Sequence, residues 1–403
     1  MMDKVDLNDK ETWRIEPKQV ERAVKDGRHD AKNPIFNWRK VVAQESVRHE
    51  RWNANRNVLA WKFLTGVEYN DPEKFPYSAV IDRKLGVKDA MALLRLHEDY
   101  IGQDQELYHS KSEGICRTTS HDSIVYNLTA DPTLTEAWKT LGRPCQSVFV
   151  PLYPLAGPAK GTAFTDPATA TKEHFAGTPA MFDYRAAFTP HSVFSASNNA
   201  IDYLRGDELA KRTQLIQAEE DKFMKDRAAV TKKAAGLKGE ERMKFLHDYN
   251  QKSYDHVLKI MQAENARLMP NKVKILADVV KADGDGTVDF ALLGAKGHEV
   301  LSANMEATRA GMSANQLNST RQWKNFAPAE KMVYKDVNND GITDVVFTFK
   351  AKDVTKGAVA GAAMDLWLYT QINGHRVTGF DVVPVENDKV KMNKGARDGK
   401  GLL

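Results

Sequence analysis

QAENARLMPNKVKILADVV, residues 262–280, holds the change of pattern on which the fold reading turns. Up to Leu268 the apolar residues recur at helical spacings, Pro270 stops that period, and from Val273 they alternate with polar ones in the period of a strand. Upstream, Ile216, Phe223, Val230 and Leu237 fall seven apart. Leu246, Tyr249, Val257, Ile260 and Leu268 continue at helical spacings, with Lys and Glu between them. GLKGEE interrupts the period, so a charged antiparallel helical hairpin is expected over 198–270, with its turn at Gly236 to Gly239. Downstream, TVDFALL, DVVFTFK, MDLWLYTQI and VTGFDVVPV are short alternating segments parted by turn residues, the pattern of a small β-sandwich over 271–388. The polar, basic stretch 389–403 is expected to be a disordered tail.

The region 1–197 mixes helix and strand signals. In RWNANRNVLAWKFLTG (51–66) Val58, Trp61 and Leu64 recur three apart and Gly66 stands where a C-terminal cap belongs. After the Pro-marked loop NDPEKFPYS, the run beginning GVKDAMALL places Val87, Met91 and Leu94 on one face of a second helix. SIVYNL, EAWKTL and SVFVPLY then read as successive antiparallel strands, followed by a Gly/Pro/Thr-rich surface loop over 154–179. The fold class expected is α+β.

Composition bounds the function. Lys+Arg 58 against Asp+Glu 54 leaves a formal net charge of +4 on 403 residues, too little for an electrostatic nucleic-acid binder. No apolar run reaches the roughly 18–20 residues that span a bilayer. P-loop, GxGxxG after a strand, HExxH, GxSxG and paired CxxC motifs are all missing from the sequence, which removes the usual support for nucleotide-dependent and zinc-hydrolase readings. The two cysteines, Cys116 and Cys145, are too few for a disulfide scaffold; inert buried thiols, a mutual disulfide and a reactive nucleophile stay open. His49 and His97, each followed by Glu on a helical segment, read as surface or core histidines.

DVNNDGITD (336–344) is the sharpest local motif. Asp336, Asn338, Asp340 and Asp344 stand at positions one, three, five and nine around Gly341, and the Ile342 carbonyl is available at position seven. Alternate oxygen-bearing side chains on a tight loop converge on one hard cation, so a structural calcium site is expected; an Asp/Asn-rich turn that needs no metal is the alternative. Position twelve, glutamate in an EF-hand, is Phe347, so the loop leads into a strand. Asp283, Asp285 and Asp289 form a weaker acidic loop. In ICRTTSHDSIVYNL (115–128), Arg117, Thr118, Thr119 and Ser120 crowd the start of a strand, where they either line a pocket as hydrogen-bond donors to an anionic or carbonyl group or satisfy strand-end backbone. Cys116 and His121, an odd separation apart on an extended segment, point to opposite faces.

Taken in order, FNWRKVV, RWNANRNVLAWKFLTG, KLGVKDAMALLRLHEDY, ICRTTSHDSIVYNL and LGRPCQSVFVPLYPL resemble the later portion of the cysteine peptidases typified by dipeptidase A and secernin. The resemblance runs from about Phe36 to about Leu268. It implies an N-terminal-nucleophile (Ntn) hydrolase: a four-layer αββα sandwich, here a partial one, in which an N-terminal cysteine attacks an amide and its own α-amino group is the base. A dipeptide or small amide is the substrate implied, and Arg117, Thr118, Thr119 and Ser120, which match the family's RTTS-like segment, the substrate side. No Cys precedes Cys116 and neither cysteine matches the nucleophile position, so no catalytic residue is carried over; the nucleophile is expected on an upstream segment or another chain. The rival is a non-catalytic, calcium-stabilised binding or cell-surface protein on the same scaffold. VYKDVNNDGITDVVFTF with VTGFDVVPV resembles the calcium-loop β-sandwich modules of secreted bacterial proteins, which implies a secreted or periplasmic parent.

Overall fold

A computed structural model describes residues 4–9, 11, 15–37, 41, 51–69, 79–97, 114–116, 120, 122–159, 193–312, 326–358, 360 and 362–389. The chain is mixed α+β and divides into two compact units, Met1–Asp99 with Ser112–Arg117, and Tyr100–Lys111 with Thr118–Leu403.

In the first unit, β1 (Lys4–Asp6) pairs antiparallel with β2 (Ile35–Asn37), and α1 (Pro17–Lys25) runs between them in sequence with Pro17 at its first turn, where a missing N–H costs nothing. Ala23, Phe36 and Val41 form its buried cluster. The helix α2 (Arg51–Thr65) stops at Gly66, whose φ of +71° lets its N–H reach the Lys62 carbonyl. At the start of α3 (Val87–Leu94) the Asp89 carboxylate accepts the Gly86 N–H at 2.8 Å and pairs with Arg83. Cys116 is buried, and its N–H donates to the Leu96 carbonyl.

The second unit opens with an antiparallel sheet in the order β3 (Ser123–Asn127), β4 (Glu136–Thr140), β5 (Val150–Leu152). Next come α4 (Val193–Leu204) and two 30-residue helices, α5 (Asp207–Gly236) and α6 (Gly239–Leu268), joined by Leu237 and Lys238. Buried side chains tie this hairpin to the sheet. Glu220 accepts the Phe149 N–H at 2.8 Å, Asn250 bonds both the N–H and the carbonyl of Tyr153, and Arg227 pairs with the buried Glu136 at 2.7 Å. Glu136 also accepts from Trp138 and Asn127, so one carboxylate joins β3, β4 and α5.

The remaining chain forms two facing sheets. β6 (Val273–Ile275), β7 (Val280–Lys281), β8 (Thr287–Leu292), β9 (Arg309–Met312), β10 (Ala327–Pro328), β11 (Lys331–Lys335), β12 (Asp344–Lys350), the short helix α7 (Ala351–Val354), β13 (Ala362–Ile372) and β14 (His375–Glu386) follow in order. One sheet runs β10-β9-β13-β14-β7 and the other β11-β12-β8-β6. Phe290, Phe347, Phe349, Leu366, Leu368, Val383 and Val385 fill the core between them. Asn373 and Gly374, both at positive φ, make the two-residue turn whose twist suits the long β13–β14 hairpin.

The sandwich is not isolated from the helices. Ile201 and Tyr203 of α4 and Leu268 of α6 pack with Phe326, Trp367 and Tyr369, and the Tyr203 hydroxyl donates to the Thr370 carbonyl at 2.7 Å. The expected boundary between residues 197 and 198 falls inside α4, because the helix starts at Val193. Of the expected tail, all but Lys389 lies outside the described residues.

Candidate functional site

Of the substrate-side block, Arg117, Thr118 and Thr119 lie outside the described residues, as does His121; Ser120 is half-buried just before β3. Neither cysteine is in a disulfide; Cys116 is buried and Cys145 partly so.

All five residues of the expected calcium loop are described. β11 leads in and β12 leads out, and Asn339 and Gly341 take φ values of +59° and +81°, which wrap the backbone around the Asp336 carboxylate. Asp336 Oδ2 accepts the Gly341 N–H at 2.8 Å, and its Oδ1 accepts those of Asn338 and Asp340 at 3.3 Å. The Gly341 N–H foremost, then the others, holds the Asp336 carboxyl below its ordinary range. Asn338 Oδ1 accepts the Asp340 N–H, Asn338 Nδ2 donates to Asp340 Oδ2 at 2.8 Å, and Asp340 Oδ1 accepts the Ile342 N–H. Asp336, Asn338 and Asp340 therefore gather on one exposed turn.

Asp344 differs from them. It is fully buried, its Oδ1 accepting the Gly294 N–H and its Oδ2 the Val337 N–H, each at 2.8 Å. Its carboxylate braces the root of the loop against β8 and β11. The donor set fits a hard, oxygen-seeking cation on the exposed side, with three oxygen-bearing side chains and the Ile342 carbonyl on the same turn. The weaker acidic loop is dispersed: Asp285 pairs with Lys352, Asp289 accepts the Thr348 hydroxyl, and Asp283 accepts the Asp388 N–H.

A third constellation was invisible along the sequence. The loop Gly142–Ser147, between β4 and β5, is pinned to α4 by buried polar side chains. Arg143 is fully buried; its Nη1 pairs with Asp202 and its Nη2 donates to Asn199 Oδ1 at 2.6 Å. Gln146 Nε2 donates to the other Asp202 oxygen at 2.7 Å. The Asn198 amide completes the lock, its oxygen accepting the Arg143 N–H at 3.0 Å and the Ser147 hydroxyl, and its nitrogen donating to the Gln146 carbonyl. Behind it lies Arg212, also fully buried, whose Nη1 donates to the Gln146 carbonyl and the Ser197 hydroxyl and whose Nη2 stands 3.4 Å from Glu264. Burial pulls the Arg212 guanidinium below its ordinary value, with Glu264 opposing that fall.

Gly-Arg-Pro reads as turn punctuation in the sequence, and Asn198, Asn199 and Asp202 read as an ordinary helix. The one available signal was their spacing, i, i+1 and i+4 on one helical face, opposite a loop rich in hydrogen-bonding side chains. With two cations matched by two carboxylates, this knot is built to position the segment entering β5.

No helix among the described residues is long and apolar enough to cross a membrane. No protein-family model matches the chain, and no curated protein matches it.

Proposed function

We propose that the chain forms the pocket-bearing part of a dipeptidase-like amide hydrolase of the Ntn type, acting in proteolysis on dipeptides or small amides. Its nucleophile is a cysteine outside these 403 residues, supplied by an upstream segment or another chain. Arg117, Thr118, Thr119 and Ser120 bind substrate as donors to its carbonyl or carboxylate. That cysteine's thiol passes its proton to its own α-amino group and attacks the amide carbon; the C–N bond breaks, the amine leaves with that proton, and water hydrolyses the resulting thioester to release the acid and restore the thiol.

The observation that carries this reading is that the α5–α6 hairpin braces the β3-β4-β5 sheet, along its β5 side through Glu220 and Asn250 and at β4 through the Arg227–Glu136 pair, while residues 117–120 stand just before β3 in sequence. An antiparallel sheet packed with a pair of long helices supports a partial αββα arrangement, which this reading requires. Cys116, at 1% exposure, is poorly placed for attack on a substrate, in keeping with a nucleophile elsewhere. The test is dipeptide hydrolysis by the purified chain, alone and with the polypeptide encoded immediately upstream. Activity only with the upstream product is the expected result. Activity of the chain alone would return the nucleophile to Cys116 or Cys145, and inactivity in both arms would remove the hydrolase reading.

The prearranged turn of Asp336, Asn338 and Asp340 favours a second reading, a non-catalytic calcium-stabilised binding or cell-surface protein. In either case calcium acts structurally, tying β11 to β12 in a secreted or periplasmic parent. Calcium-dependent stability without hydrolysis in either arm would select this alternative.

A further inference from the structure

Sheet edges are ready-made templates for pairing, and folded proteins blunt them. Most edges in this chain are treated that way. β11 carries Lys331 and Lys335, both exposed; β10 is two residues long and contains Pro328; β7 is two residues long. β6 is three residues long with an exposed Lys274 at its centre. On the far side of the first sheet, Glu220 and Asn250 take up the outward N–H groups at Phe149 and Tyr153 beside β5.

β3 has none of these devices. It is five residues, Ser-Ile-Val-Tyr-Asn, without a charge or a proline, and no described strand lies beyond it. Ile124 is 38% exposed and Tyr126 58%.

The direction of its free hydrogen-bonding groups follows from one contact. The Ser123 N–H points toward β4, where it donates to the Thr140 hydroxyl at 2.9 Å. Backbone groups alternate sides along an antiparallel strand, so Val125 and Asn127 share that direction while the N–H and carbonyl of Ile124 and Tyr126 face outward. We infer that this edge is an interface between two copies of the chain, formed by antiparallel pairing of β3 with β3 about a two-fold axis at Val125.

The register is self-complementary. With the axis at Val125, Ile124 of each copy lies opposite Tyr126 of the other in a hydrogen-bonded pair, so the four outward groups on each strand make four interstrand bonds. The same register sets an exposed aromatic ring beside an exposed β-branched side chain twice, a favourable cross-strand pair. Lys139 lies opposite Ile124 on β4, so the row across the joined sheets reads Lys139, Ile124, then the second copy's Tyr126 and Ala137. No like charges meet. The two Lys139 side chains fall in different rows three strand spacings apart, roughly 14 Å, beyond the Debye length at physiological salt. Asp122, at the end of the strand, already has its counter-charge in Lys139 at 3.0 Å. A contact built on one short strand is smaller than a standard protein interface, so the association is weak and reversible.

Sedimentation equilibrium of the purified full chain up to a few hundred micromolar tests this. The expected result is a rise in mass from the 45.2 kDa monomer toward twice that value, with a dissociation constant on the order of 10–100 µM. Ile124→Pro removes an outward N–H that β4 does not use and should weaken dimerisation at least tenfold, with the circular-dichroism spectrum unchanged. If the proline variant fails to fold, Tyr126→Lys decides, since it leaves the backbone intact and replaces the ring by a charge. A wild-type chain that stays monomeric over the whole range, even if its edge captures the upstream-encoded polypeptide, overturns the second copy as the occupant. Dimerisation that survives both substitutions overturns the edge as the interface.

Discussion

Arg143 and Asp202 form an ion pair with almost no solvent contact, their side chains 1% and 7% exposed, and the second Asp202 oxygen accepts from Gln146. Such a pair adds little over a well-packed apolar one, because both charges have lost their water, but breaking it from one side strands the other charge. Asp202→Ala should cost about 3–5 kcal/mol in urea denaturation. The double replacement Arg143→Met with Asp202→Leu should cost clearly less than Asp202→Ala. A loss in the double variant equal to the sum of the two single-variant losses would mean that the side chains act independently.

Gly142 and Gly374 both have positive φ, +150° and +77°, but their surroundings differ. A Cβ on Gly142 would lie 2.5 Å from the Asn198 side-chain amide and 2.7 Å from Ser147 Oγ, inside the polar knot, whereas one on Gly374 meets nothing within 4 Å. Gly374→Ala should therefore cost about 1 kcal/mol, the backbone penalty alone. Gly142→Ala adds overpacking against buried hydrogen-bonded groups and should cost about 2–4 kcal/mol. Thermal melts of the two variants side by side check the order, and a smaller loss at Gly142 would contradict the packing described for that loop.

The turn at residues 336–344, proposed above to hold calcium, makes a prediction with two halves. Asp340 is exposed and holds only other loop atoms, so Asp340→Ala should lower the melting temperature in millimolar calcium and change it little in chelator. Asp344 is buried beneath the loop and accepts two backbone N–H groups, so Asp344→Ala should destabilise in both conditions, by about 2–4 kcal/mol for two orphaned donors. Equal melting of wild type and Asp340→Ala in calcium would remove the metal from the loop and leave a plain Asx-rich turn.

What the sequence made legible was periodicity and punctuation. The hairpin could be read because Ile216 and Phe223 fall on one face and Gly236 to Gly239 break the run; those two residues are buried, and the helices end and begin at those glycines. The turn that gathers Asp336, Asn338 and Asp340 could be read because its side chains are contiguous. The Arg143 knot could not, since its partners are 55 to 59 residues away along the chain and nothing local requires them. Tyr203 was hidden for the same reason: its hydroxyl reaches Thr370, 167 residues on, and turns what reads as the start of the helical hairpin into part of the sandwich wall.

Acid should weaken the helical hairpin through two carboxylates whose position is set by opposing effects. Burial alone raises the Glu264 carboxyl, but the hydrogen bond from Arg267 and the nearby charge of Arg212 outweigh it and hold the group below its ordinary range. Glu219 behaves alike: burial raises it, and the bonds from Lys222 and His256 bring it down. A carboxyl whose folded value is depressed stabilises the fold fully above its unfolded value, about 4.3, and that contribution is lost as pH falls through the folded value. Stability from these two groups is therefore complete at pH 7 and declines below about pH 4.3. Glu264→Gln should cost about 1.5–3 kcal/mol at pH 7, where the carboxylate is charged and bonded to Arg267. The variant should lose less than wild type between pH 7 and pH 3, since the charge that acid would remove is already gone. Urea midpoints at the two pH values measure this directly, and parallel losses in both proteins would show that Glu264 is not one of the groups through which acid acts.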